Sequence, residues 1–228
     1  MDDNTACVLR IIIEHYPCTK LCVKQHSHLS MSTVLRAVDA LEREGWIKAD
    51  AHPVPSGGKP HADLKPSARA VYGAKQTETG WDVCALGLTG EETRLHLDSV
   101  DALRPLTVVE GDAPKGAGTL SLGECVAAYL HIRDKGAYVD EGLRLYTASG
   151  TPIDLGDLPS PLLADKRLCY RDAFREGTPQ QKIRLKAELT RYITTLLPIK
   201  NVCFADQVSI APEAAAAWAS LGHLLGHL

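Results

Sequence analysis

The sequence predicts a mixed α+β and α/β chain in two parts: a helical unit closed by a hairpin over residues 1–70, and an α/β unit over 71–228. Three observations lead there. Apolar residues between Val8 and Leu41 recur at helical spacing, and Thr19 and Ser30, both good N-caps, interrupt them. A cluster of Pro and Gly between Pro53 and Pro60 divides two short segments of strand character. From Val71 the period shortens to that of strands, and helical stretches return only from Leu122.

In order along the first part, Cys7 to Tyr16 is apolar enough for a buried first helix, which Pro17 stops. Thr19 caps a short second helix over residues 20–26, apolar at positions 21, 22 and 23. Ser27-His28-Leu29 makes a tight turn. Ser30 then caps a third helix that runs to Glu44, along which Val34, Ala37, Val38 and Leu41 fall at i, i+3, i+4 and i+7 on a single face. Gly45 closes it, since glycine takes positive φ freely. Residues 46–50 and 62–66 pair as strands around a Pro/Gly loop. Two short helices, a turn, a longer amphipathic helix and a following hairpin make a winged helix-turn-helix.

That arrangement predicts double-stranded DNA as a partner. The third helix fits a major groove about 12 Å wide, with its first turns nearest the base edges. Ser30 stands at its start, and Ser32, Thr33, Leu35 and Arg36 lie on its outward side. Arg36 alone among them can contact guanine with two parallel hydrogen bonds. Lys59, on the slim loop Ser56-Gly57-Gly58-Lys59-Pro60, suits a narrow A·T-rich minor groove. Lys20, Lys24 and Lys48 are candidates for phosphate contacts. The alternative is a winged helix used for protein contact, a relic that no longer binds DNA.

Several phrases recur in a telling order: Leu29-Ser30-Met31-Ser32-Thr33-Val34, Leu41-Glu42-Arg43-Glu44-Gly45-Trp46-Ile47, the Gly57-Gly58-Lys59-Pro60 loop, Leu64-Lys65-Pro66, and Val71-Tyr72-Gly73-Ala74-Lys75. Together, over residues 8–76, they resemble the N-terminal part of the ROK family, bacterial repressors and sugar kinases that share an actin-like fold. The resemblance implies a transcriptional regulator, a repressor by family habit. It has departures. Met31 stands where the family usually has a basic residue, Leu35 where it has Ser or Thr, and Lys59 replaces the wing Arg, keeping the charge without the flat fork.

The family's kinase chemistry does not carry over. Its first strand ends in an Asp and a Gly-rich turn, and here the same place reads Lys75-Gln76-Thr77-Glu78-Thr79-Gly80. Its zinc site needs a His and clustered cysteines. Here Leu221-Gly222-His223 echoes the His end alone, and His223 with His227 offers an i, i+4 pair but no third ligand. The expectation is a protein that is no enzyme and holds no cofactor or metal.

Past residue 70, strands are expected over 71–76, 81–88 and 92–98, with turns at Thr79-Gly80 and Thr89-Gly90. Residues 106–110 would add an edge strand, and Gly111 to Gly118 a loop that matches no phosphate-binding spacing. A helix over 122–135, a strand over 143–148, an irregular stretch with Pro152, Pro159 and Pro161, a helix over 179–197, a strand over 201–205 and an Ala-rich helix over 212–225 complete the chain. The order β-β-β-α-β-α-β-α is that of one ribonuclease H-like unit. An actin-like fold uses two, and residues 71–228 are too few for two of full size, so a single condensed unit is expected. The two-metal carboxylate set of ribonuclease H chemistry is missing: Lys75 occupies the first strand, and Glu124 and Asp206 are isolated. Pockets of open α/β sheets lie beyond the carboxyl ends of strands. This points to Lys75, Thr77 and Asp206 as contacts for a small-molecule effector, a sugar or derivative by family analogy.

Composition fits that setting. Of 228 residues, 45% are hydrophobic and 23% charged. No apolar run approaches the roughly 20 residues that span a bilayer, and the acidic start Met1-Asp2-Asp3 is no secretory signal. A cytoplasmic protein without a membrane partner is expected. Seven cysteines (7, 18, 22, 84, 125, 169 and 203) with no Cys-x-x-Cys pair read as reduced thiols; a thiol redox sensor is the alternative. The net charge of −3 is unevenly shared: residues 20–69 hold eight basic and five acidic side chains, residues 71–228 sixteen and twenty. The basic excess lies where DNA contact needs it. One monomer reads only a short site, so a homodimer is expected.

Overall fold

The computed structural model describes residues 1–52, 61–148, 151–160 and 169–227. Three helices open the chain: α1 (Asp3–Glu14), α2 (Lys20–Ser27) and α3 (Met31–Arg43). Each start is fixed by a side-chain cap, with Asp2, Thr19 and Ser30 accepting the backbone N–H of Thr5, Cys22 and Thr33. Asp2 is the reason α1 begins earlier than its apolar run indicates. Val8, Leu9 and Ile12 of α1, Val23 of α2, and Val34, Val38 and Leu41 of α3 are buried in one core with Trp46, Ile47 and Leu64.

Gly45, at φ 75°, turns the chain out of α3. It enters β1 (Ile47–His52), which pairs antiparallel with β2 (His61–Pro66). Cys18, between α1 and α2, bridges to Leu64, whose N–H reaches the Cys18 carbonyl at 2.8 Å. The hairpin is thus tied to the helices by main-chain pairing as well as by the core. The loop carrying Lys59 lies outside the described residues.

Residues 71–228 were expected to hold a single sheet, and the topology corrects this: there are two. The first contains β3 (Ala70–Thr77), β4 (Gly80–Gly87), β5 (Glu92–Leu97), β6 (Leu106–Val109) and β7 (Gly118–Leu120), in the order β5-β4-β3-β6-β7. β3, β4 and β5 form an antiparallel meander; β6 runs parallel to β3, and β7 parallel to β6. The segment expected at the edge is therefore interior, and all four residues of β6 are buried. The true edge, β7, begins at Gly118, the last residue of the stretch read as a glycine loop.

After α4 (Leu122–Asp134) comes the second sheet: β8 (Gly136–Val139), β9 (Arg144–Tyr146), β10 (Ile153–Asp154) and, beyond α5 (Tyr170–Glu176) and α6 (Pro179–Leu196), β11 (Asn201–Phe204). Its order is β10-β9-β8-β11, with β11 parallel to β8 and the rest antiparallel. In both sheets the first three strands form a meander and the fourth lies parallel beside the first. Leu185, Leu189 and Ile193 of α6, one stripe at i, i+4 and i+8, cover the second sheet over Ala137, Val139, Val202 and Phe204.

The last helix, α7 (Pro212–Leu224), lies across β3, β4 and β6 and packs on its other side against α4. Every residue from Glu213 to Gly222 is buried. This explains the unbroken alanines 214 to 217, since only small side chains fit a helix pressed between a sheet and another helix. Contact is closest at Gly73 of β3, where a Cβ would stand 2.1 Å from backbone atoms of Glu213 and Ala217. The buried Ser220 hydroxyl bonds the Tyr72 carbonyl at 2.8 Å and the Thr107 hydroxyl at 2.7 Å. Val71, Leu86, Ala217, Trp218 and Leu221 belong to the same core as α1 and α3, so the three-helix unit is seated on the first sheet and α7. No helix among the described residues is long and apolar enough to cross a membrane.

Candidate nucleic-acid interface

With one face of α3 sealed in the core, the opposite face is open. Ser32, Leu35, Arg36, Asp39 and Arg43 are exposed along it. Leu35, 40% exposed, is an apolar side chain with nothing over it, and suits contact with a thymine methyl group. Arg36 and Arg43 have no partner among the described residues. Arg43 was missed by sequence reasoning, although it follows Arg36 by seven residues and so repeats its direction two turns later. Asp39 lies between them and tempers the positive stripe.

At the start of α3 the three hydroxyls expected to meet bases are already joined to one another. Ser30 Oγ lies 2.8 Å from Ser32 Oγ and 2.9 Å from Thr33 Oγ1, and accepts the Thr33 N–H at 3.2 Å. Ser30 therefore holds the helix end as well as offering a hydroxyl outward, whereas Thr33 is half-buried. Lys24 and Lys48 are exposed and Lys20 half-buried, each without a partner among the described residues. Strand alternation places Lys48 beside its cross-strand partner Lys65, on the face opposite buried Ile47 and Leu64. Lys65 is ion-paired with Asp50, which pushes its ammonium pKa up. Arg69, also passed over in the sequence, stacks 4.5 Å above Trp46 and donates to the Glu44 carbonyl. It pins the hairpin's exit to the end of α3.

The three residues expected to touch an effector do not converge. Lys75 is exposed on β3. Thr77 donates its hydroxyl to the Gly80 carbonyl at 3.1 Å, closing the β3–β4 turn. Asp206 follows β11 in the other sheet, where Lys186 Nζ holds both its oxygens at 2.5 and 2.6 Å and keeps its carboxyl below the usual range. Asp206 lines a cavity of about 610 Å³ with Asp140, Arg171, Arg175, Lys182 and Phe204. This cavity lies beyond the carboxyl ends of parallel strands β8 and β11, the place where open sheets take ligands. Lys75 and Thr77 contribute nothing to its wall.

A crystal structure described as a ROK family transcriptional regulator, a homologue of the Escherichia coli Mlc protein, matches this chain with a TM-score of 0.56 at 11% sequence identity, covering 98% of this chain and 96% of that one. The chain has the fold of a ROK-family regulator. No family model matches the sequence, and neither does any curated protein. The likeness is therefore one of architecture, and it extends through both sheets as well as the three-helix unit.

Within this ROK-like fold the three buried cysteines are poor candidates for redox chemistry. Burial raises the thiols of Cys18 and Cys125 to about 12 and that of Cys84 to about 11. Such thiols stay protonated and are poor nucleophiles at neutral pH. The i, i+4 histidine pair is not formed as a helical pair: α7 ends at Leu224, and His227 lies beyond it. Its N–H returns to the Gly222 carbonyl at 2.9 Å. Among the described residues no three His, Cys, Asp or Glu side chains group as metal ligands.

Proposed function

We propose that this chain is a DNA-binding transcriptional regulator, in which residues 1–70 act as a winged helix-turn-helix and α3 enters the major groove. One observation carries the reading. α3 is locked by Val34, Ala37, Val38 and Leu41 on one side, while Ser32, Arg36 and Arg43 stand open on the other. The fold neighbour's description as a transcriptional regulator supports the same reading. Ser30, Ser32, Thr33 and Arg36 address base edges; Lys20, Lys24 and Lys48 neutralise phosphates; Lys59 enters the flanking minor groove.

Residues 71–228 serve as the body for dimerisation and effector response. Their two sheets are read as shortened copies of the ribonuclease H-like unit that actin-like folds use twice, which replaces the single unit expected from length. The Asp206 cavity supports an effector site on the second sheet. Because β3 ends in Lys75-Gln76-Thr77, with no carboxylate to organise a metal-bound phosphate, the body senses rather than phosphorylates. A cytoplasmic homodimer acting as a repressor would place two copies of α3 about one helical turn (~34 Å) apart on a two-fold symmetric site.

Selection of binding sites from random duplexes, with the full chain, tests this. The expected result is an inverted repeat that survives moderate salt. Enrichment of no sequence, with binding that salt abolishes, would instead favour use of the winged helix in protein contact.

A further inference from the structure

A second group of basic side chains lies where the three-helix unit meets the body. A cavity of about 350 Å³ is walled there by Arg10 of α1, Thr89 and Gly90 of the β4–β5 turn, Lys135 at the end of α4, Trp218 of α7, and His227 beyond it. Ile132, Trp218 and Leu221 make its apolar floor. The ring of His131 lies 6.1 Å from that of His227. Arg10, Lys135, His131 and His227 thus approach one seam from three separate elements. Among the described residues none of the four forms an ion pair with a carboxylate. Glu14 is the carboxylate on the cavity wall, and it is exposed; Glu92, off the wall, accepts the Trp218 indole N–H at 3.0 Å. Glu91, in the neighbouring turn, is occupied by the Thr89 hydroxyl at 2.7 Å.

Like charges gathered at a partly desolvated seam oppose one another, and an entering anion removes that opposition. We propose that this seam binds a small organic anion, a carboxylate or a phosphate monoester, with its charged end among Arg10, His131, Lys135 and His227 and its apolar body on Ile132, Trp218 and Leu221. The cavity is at the small end for ligand sites, enough for a single-ring skeleton. Burial, with Arg10, Lys135 and His131 nearby, holds the His227 imidazole down to about 4. An anion reverses the Coulomb part of that shift, though not the larger part due to burial, so protonation of His227 favours binding and binding tightens as pH falls. Because Arg10 belongs to α1, an occupant bridges the helical unit to the body. This regulatory consequence rests on the DNA-binding reading; occupancy of the seam does not.

Calorimetric titration of the full chain with phenyl phosphate, benzoate and inorganic phosphate, at about pH 7 and about pH 5.5, tests it. Saturable binding of either aromatic anion is expected, and the preferred one names the head group. The strengthening at lower pH is read from benzoate, which stays ionised at both pH values, because phenyl phosphate itself gains a proton at about pH 6. Arg10→Gln and Lys135→Asn, the latter chosen to keep the left-handed backbone at that position, should each weaken it by about tenfold. The proposal is overturned if neither aromatic anion binds saturably, if both variants bind as the parent does, or if inorganic phosphate binds as tightly as phenyl phosphate. Gel shifts with and without the bound anion then separate the two claims: altered DNA affinity supports the bridge, and unaltered affinity with binding intact overturns the bridge alone.

Discussion

Ser30 caps α3 and, in the proposed DNA complex, also faces the duplex. Its Oγ accepts the Thr33 N–H and meets the hydroxyls of Ser32 and Thr33, and it stands where the recognition helix would face a base edge. The two roles separate by substitution. Ser30→Ala removes the cap and should cost about 1 kcal/mol of stability, read as a lower denaturation midpoint. Ser30→Asp restores the cap, yet puts a negative charge toward the DNA backbone. Its stability should return to the parent value while DNA affinity stays low. If Ser30→Asp bound DNA as well as the parent, the start of α3 would not be facing the duplex. Residues of this kind were legible beforehand because capping is local: Thr19 and Ser30 declare helix starts by themselves. Lys135 was not legible, since it takes the left-handed conformation at φ 53° without the glycine that usually marks it.

At the scale of elements, α7 fits closely against β3 at Gly73. No side chain can be added at Gly73 without meeting α7 backbone at 2.1 Å. Gly73→Ala should therefore destabilise the protein by about 3 kcal/mol or more, at the upper end of overpacking costs. Gly118→Ala, where nothing lies within 4 Å, serves as a control and should be near neutral. Equal midpoints for the two variants in urea would show that α7 is not held there. The longer helices and the β3–β5 meander could be read in advance because their signals are periodic over a full element, whereas α5, seven residues inside the stretch expected to be irregular, could not. β8, with four residues, and β10, with two, are too short to show any period. β6 was placed at an edge because its outer neighbour, β7, is a three-residue strand that begins with glycine. That the second half of the chain makes its own sheet depends on β8–β11 pairing across more than sixty residues, which no local pattern encodes.

For the molecule as a whole, the seam between the helical unit and the body should also govern acid stability. His227 is held down to about 4 in the folded protein and His131 is lowered as well, both chiefly by burial. The unfolded chain, with histidine near 6.5, therefore binds these protons first, and stability is lost as pH falls from about 6.5 towards about 4. His96, drawn up by its hydrogen bond to Asp82, acts in the opposite sense, but that pair is exposed and contributes little. Urea midpoints in a zwitterionic buffer should fall between neutral pH and the lower end of that window, and His227→Gln should flatten the dependence. A dependence unchanged by His227→Gln would place the acid sensitivity elsewhere.

The same molecule, with one face of α3 open to solvent, is held to touch DNA through Arg36, and binding by Arg36→Ala is the most direct test. Affinity for the selected site and for variants of it, measured by fluorescence anisotropy across a salt series, should drop by about 1–3 kcal/mol with preference relaxed at one base pair. The salt slope should fall by no more than the loss of one charge allows. Unchanged affinity and unchanged base preference in a folded Arg36→Ala protein would contradict α3 as the reading helix.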